Sequence, residues 1–211
     1  MIKAIIFDMD GVLIEAKDWH YEAFNRALRL FGYEINREAH LSVYDGLPTK
    51  KKLEILSAEE LLPAALHDVI NVLKQQYTME IVHTTCRPRF NHEYALSRLK
   101  AEGFKLAVAS NSIKDSVITM LQKAQILHYF DVVLSNQDVT NSKPHPEIYQ
   151  SAMKKLNVKP EECVVIEDNE NGIKSAKAAR AEVLVVKEVS DVTYENIKQF
   201  IAMIENVRNT A

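Results

Sequence analysis

Ile2-Lys3-Ala4-Ile5-Ile6-Phe7-Asp8-Met9-Asp10-Gly11 opens the chain with an almost unbroken apolar run that stops at two acids and a glycine. A run this short and this apolar reads as a strand buried on both faces. It is too short for a signal peptide or a membrane span, so a cytoplasmic protein is expected. Four further runs share the pattern: Leu106–Ala109, Val132–Leu134, Cys163–Ile166 and Val183–Val186. Segments of helical period separate them, at His92–Leu99, Ile113–Ala124, Pro146–Leu156 and Ile173–Ala179. Strands alternating with helices imply a doubly wound α/β domain with a parallel, Rossmann-like sheet covered on both sides.

One stretch breaks the alternation. Residues 17–82 carry helical apolar patterns and no buried strand, with one amphipathic helix marked by Trp19, Ala23, Ala27, Leu28, Leu30 and Phe31. Another is marked by Val69, Ile70, Val72 and Leu73. The expectation is a small all-helical domain over 17–82, inserted into a core made of 1–16 and 83–211. A closing helix is expected over Thr193–Val207.

Composition narrows the function classes. A net charge of -3 and a pI near 6.2 supply no basic field for nucleic acid. Lys50-Lys51-Lys52 reads as the solvated start of a helix. Two cysteines make no disulfide framework; Cys163 reads as a buried hydrophobe and Cys86 as a linker residue. No coiled-coil pattern calls for an obligate assembly, and a monomer is expected.

In open α/β sheets ligands collect beyond the carboxyl ends of the strands. Asp8 and Asp10 stand there after the first strand, Ser110-Asn111-Ser112 after the second, and Glu167-Asp168-Asn169 after the fourth. Lys143 lies in the polar loop after the third. Aspartates at i and i+2 face one cleft, and crowding them with Glu167 and Asp168 is repulsive without a cation. Hard oxygen ligands of this kind suit Mg²⁺. Lys143 can hold a phosphate or balance the acids, and the Ser110 hydroxyl can reach phosphate oxygens. Gly11 and Gly172 allow tight turns or close approach. Taken singly, each of these residues is an ordinary cap, turn or surface loop. Together, in this order, they form a set.

That set resembles the haloacid dehalogenase-like phosphatase superfamily. Asp8-Met9-Asp10-Gly11-Val12-Leu13 is similar to its first motif and Ser110-Asn111-Ser112 to its second. Lys143 in Ser142-Lys143-Pro144 is similar to the third, and Glu167-Asp168-Asn169 to the fourth. The helical insertion resembles the caps of the β-phosphoglucomutase-like branch, on His20 and Gly46-Leu47-Pro48-Thr49. The resemblance implies a phosphatase for a small phosphorylated metabolite, in the first place a sugar phosphate, with Asp8 as nucleophile and Asp10 as acid and base. It implies Mg²⁺ held by Asp8, Asp10 and Asp168, with Glu167 direct or one step removed. Ser110, Asn111 and Lys143 would bind the phosphoryl oxygens. His20, which by itself reads as a packing residue, would couple the cap to Asp10. A sugar phosphomutase uses the same motifs and stays the alternative, while a dehalogenase is disfavoured by Asp10. The sequence departs from the family pattern at Glu15 (usually Asp), at Cys86–Phe90 (usually Pro-Gly), at Thr49 (Arg in the mutase-like pattern) and at Arg180 (commonly Gly).

Overall fold

The computed structural model describes residues 1–210 and divides into two compact units, Met1–Glu15 with Arg87–Ala211, and Ala16–Cys86. In the first unit five parallel strands form one sheet: β1 (Ala4–Phe7), β2 (Lys105–Ala109), β3 (Val132–Leu134), β4 (Cys163–Glu167) and β5 (Glu182–Val185). Their spatial order is β3-β2-β1-β4-β5, with Ala4 opposite Lys105 on one side and Cys163 on the other. The chain thus runs outward from β1 to β3, then returns to lay β4 along β1's other edge. The crevice between β1 and β4 is where such a sheet reverses direction and accepts ligands.

Ile2 and Lys3 precede β1, Lys3 already bonded to the backbone of Glu162 and Lys105, and β1 is buried on both faces as expected. Ala4 and Ile6 join Ala107, Ala109, Cys163 and Val165 beneath the helices that follow β3 and β4. Two expected strands are not buried on both faces. In β3, Val132 and Val133 are half-buried, and in β5 Val185 is 53% exposed. Both lie at edges of the sheet, where an apolar run cannot report that one side lacks a neighbour.

In the second unit lie α1 (Lys17–Arg29), α2 (Arg37–Ala39, continued as a π-turn to Tyr44), α3 (Thr49–Glu59) and α4 (His67–Thr85). The insertion is all-helical, and α4 runs on three residues past 82. Phe24, Leu28, Ile35, Tyr44, Leu53, Leu56 and Ile70 make its core, with Asn25 bonded through both amide atoms to the backbone of Ile35. Some expected apolar contacts fail. Leu30, Val69 and Val72 are exposed, and α4 buries Ile70, Lys74, Thr78 and Val82 at four-residue spacing instead. Lys52, expected in a solvated run, is 6% exposed, its ammonium 5.9 Å from the Phe24 ring centroid. Long lysine stems fill apolar space, which a residue-type pattern scores as surface.

His40, on the π-turn, is buried against the Tyr21 ring. Burial, and then the nearby Lys52, lower its pKa from 6.5 to about 4. The folded unit therefore keeps this ring neutral where the unfolded chain would protonate it. The associated stability is fully present above pH 6.5 and is lost as pH falls towards about 4. We expect a loss on the order of 2 kcal/mol across that window. Trp19, the sole tryptophan, lies in the same unit and reports its unfolding in urea; a His40→Phe protein should keep a flatter profile than the wild type.

The remaining helices belong to the sheet unit: α5 (Phe90–Ala101), α6 (Lys114–Lys123), α7 (Glu147–Leu156), α8 (Glu170–Ala178) and α9 (Tyr194–Thr210). The last runs beyond the expected end at 207. α5 to α8 stop alike, with a left-handed residue whose N–H bonds three residues back, followed by an N–H bonding five residues back. The left-handed positions are Gly103, Gln125, Asn157 and Arg180, and the paired bonds form a Schellman stop. Arg180 takes φ 63° where the resembled family commonly has glycine. A left-handed side-chain residue costs about 1–2 kcal/mol, against about 0.5–1 for the added flexibility of an unfolded glycine. Arg180→Gly should therefore raise Tm by about 1–4 °C in a thermal melt. A lower Tm would show that the arginine is held by more than its backbone.

Glu15 and Arg89, each in a region that departs from the family pattern, form an ion pair at 2.6 Å within this unit. The two departures are thus chemically matched. Among the described residues no helix is long and apolar enough to cross a membrane.

Candidate active site

The acids at the crevice are set by strand alternation. Asp8 leaves β1 with its N–H bonded to the Ile166 carbonyl at 3.0 Å. Met9 turns into the core, so Asp8 and Asp10 point the other way. Gly11, at φ 89°, closes the tight turn in which Leu13 and Ile14 donate back to the Met9 carbonyl.

Lys143 is the electrostatic centre. Its buried ammonium donates to Asp8 Oδ1 at 2.6 Å and to Glu167 Oε1 at 2.7 Å. Burial acts to lower the pKa of this lysine, but Asp8 and Glu167 outweigh it and the net direction is up. Burial drives the Asp8 carboxyl well above the usual range; Lys143 opposes this, while Glu167, Asp168 and Asp10 reinforce it. One ammonium faces four carboxyl groups, so it can balance only one of them when all are ionised. Both shifts describe a site whose chemistry calls for more positive charge.

The side chains placed by sequence hold distinct posts. Asp8, Glu167 and Asp168 bring carboxylate oxygens within 4.8 Å of one another, a hard-oxygen set of the kind that holds Mg²⁺. Glu167 is heavily engaged: Oε1 also accepts from the Tyr149 hydroxyl at 2.5 Å, and Oε2 accepts from the N–H groups of Asp168 and Asn169. Four donors occupy the roughly four lone-pair sites of a carboxylate. Asp8 and Asp168 are therefore the better-suited carboxylate ligands for a cation. The Ser110 hydroxyl accepts from the Ser112 N–H at 3.0 Å. Asn111 spends its amide on the backbone of Lys143, accepting from its N–H at 3.1 Å. That makes Asn111 a support for Lys143 as much as a ligand for phosphate. His20 stands in the helical unit, its Nδ1 3.3 Å from Lys74 Nζ.

Two supporting roles escaped the sequence. Ser112 donates to Asp10 Oδ2 at 2.7 Å, orienting the second acid. It is visible in the sequence as part of a motif, but its partner is 102 residues away. Tyr149 looks like any aromatic on a core-facing helix; the one available signal is that a buried tyrosine hydroxyl must find an acceptor.

Gly172, in the first turns of α8, faces the Glu167 carboxylate. A Cβ built there would lie 1.8 Å from Oε1 and 2.0 Å from Cδ. Gly172→Ala should expel Glu167 from its four donors and unseat Lys143, lowering kcat about 10²-fold. The methyl group would otherwise favour the helix by about 1 kcal/mol. A fully active, more stable Gly172→Ala protein, measured by turnover and thermal melting, would mean that Glu167 relocates without cost.

Comparison with known proteins places this geometry in context. Residues 5–186 match the family model described as haloacid dehalogenase-like hydrolase. A phosphorylated carbohydrates phosphatase of Thermotoga maritima is 31% identical over 184 residues, covering 86% of this chain and 83% of that protein. The crystal structure of CbbY from Rhodobacter sphaeroides in complex with phosphate superposes with a TM-score of 0.77 at 27% identity, covering 88% and 86% of the two chains. β-Phosphoglucomutase from Clostridium difficile superposes over the full length of both chains with a TM-score of 0.84 at 24% identity, a likeness of fold.

Proposed function

The chain belongs to the haloacid dehalogenase-like hydrolases, and within that family we propose that it is a Mg²⁺-dependent phosphatase acting on a small phosphate monoester, first among them sugar phosphates. The observation that carries this reading is Asp8, directly after β1, held at 2.6 Å by the buried ammonium of Lys143 with Asp10 on the same side of the strand. Asp8 Oδ attacks phosphorus in line, and the ester oxygen leaves with a proton from Asp10. Asp10, steadied by Ser112, then takes a proton from water as that water attacks the aspartyl-phosphate and frees phosphate and Asp8. Lys143 neutralises charge on the transferring group, and Ser110 offers a hydroxyl to it. Asp8, Asp168 and the Asp10 carbonyl would hold Mg²⁺, which would offset the excess of carboxylates and polarise the phosphoryl oxygens. The Thermotoga relative's name supports a phosphorylated carbohydrate as the substrate class. The proposal is of a cytoplasmic monomer that needs no macromolecular partner.

The test is phosphate release from a panel of hexose and pentose phosphates with Mg²⁺ present. β-Glucose 1-phosphate is included with a trace of glucose 1,6-bisphosphate. Net phosphate release is the expected result. Glucose 6-phosphate forming faster than free phosphate would replace this reading with the phosphomutase. The mutase-like pattern has arginine at position 49, where this chain has Thr49 at the start of α3, and that favours hydrolysis.

A further inference from the structure

Tyr149 takes no part in the steps above, yet it is among the most completely enclosed side chains of the protein. It sits in the first half of α7 among Ile148, Ala152 and Met153, on the helix face that packs on the sheet. Its hydroxyl donates to Glu167 Oε1, the same oxygen that accepts from Lys143, and its ring centroid lies 4.8 Å from the Lys143 ammonium. The tyrosine therefore touches both ends of one ion pair. It competes with Lys143 for the charge on Oε1, and it presents a π face to the ammonium.

We propose that Tyr149 is a positioning residue that sets how Lys143 divides its charge between Glu167 and the reacting carboxylate of Asp8. With the hydroxyl drawing on Oε1, Glu167 holds Lys143 less tightly. The ammonium then stays at 2.6 Å from Asp8 with a further N–H for a phosphoryl oxygen. Without the hydroxyl, Glu167 becomes the stronger partner and draws the ammonium away. The loss falls on the transition state, where charge on the transferring group is greatest, and not on substrate binding.

The inference rests on the phosphatase reading, and the experiment separates the two. Tyr149→Phe keeps the ring and the core volume and removes only the donor. Phosphate release is measured for wild type, Y149F, E167Q and the double variant, with thermal melts of each and a crystal structure of Y149F. We expect kcat of Y149F to fall about tenfold with KM within about twofold and with Tm close to that of wild type, so that a smaller folded fraction does not account for the fall. In the E167Q background the same change should cost less than about twofold, because the charge for which Tyr149 and Lys143 compete is gone. In the crystal, Lys143 Nζ should sit beyond about 3.5 Å from Asp8. An active wild type with unchanged kcat in Y149F, a penalty that adds fully to that of E167Q, or an unmoved Lys143 would overturn the inference and leave the phosphatase standing. A wild type that releases phosphate from no ester would remove the reading itself, and the inference with it.

Discussion

Asp8→Asn should leave a folded protein whose phosphate release is at least about 10⁴-fold slower than wild type. An amide at this position is a poor nucleophile, and two of the neighbouring acids are engaged elsewhere. Asp10 is bonded to Ser112 and Glu167 is occupied by four donors. The fold should tolerate the change. Burial already works against the charged form of Asp8, so removing that charge relieves the crowding of acids while Lys143 keeps Glu167 as partner. Acid-quenched samples of the wild type should contain phosphate bound to Asp8, and the variant none. Wild-type rates from a homogeneous Asp8→Asn protein would end the covalent mechanism.

Removing divalent cations should slow turnover at least about 10³-fold, with recovery on adding Mg²⁺ but not Na⁺ at equal ionic strength. Asp8, Asp10, Glu167 and Asp168 share one ammonium, and a phosphate dianion entering that field is repelled. Because Glu167 is engaged elsewhere, Asp168→Ala should raise the Mg²⁺ concentration for half-maximal rate more than Glu167→Gln does. A calorimetric Mg²⁺ titration of each protein, without substrate, reads this independently of turnover. Full activity in chelator would reduce the acids to a structural role.

The core architecture was legible because each of its signals is local. The apolar run before Asp8, the alternation that sends Met9 inward, and the helical periods between strands can all be read from neighbours in the chain. Edges are not local: Val185 and Val132 look like interior strand residues until the order of the sheet is known. The insertion was legible as helical, but its buried faces were not. Val69 and Val72 are apolar but face solvent, while Lys52, Lys74 and Thr78 are polar by type and buried in fact. The acids and Lys143 announced themselves by type and position. The supporting contacts did not: Ser112 and Asn111 stood in a motif, but their bonds to Asp10 and Lys143 join residues 102 and 32 positions apart, and Tyr149 differs from an ordinary core tyrosine only in a partner 18 residues away.

Gly172 carries a constraint that also bears on heredity. Every single-nucleotide change in a glycine codon that alters the amino acid introduces a β-carbon, and here a β-carbon would overlap Glu167. No one-step neighbour in the genetic code preserves the arrangement. Drift at this site has to begin with a compensating change at Glu167 or with the loss of the ion pair it organises. In a lineage that keeps turnover, exchange of this glycine is therefore tied to where the carboxylate across from it sits.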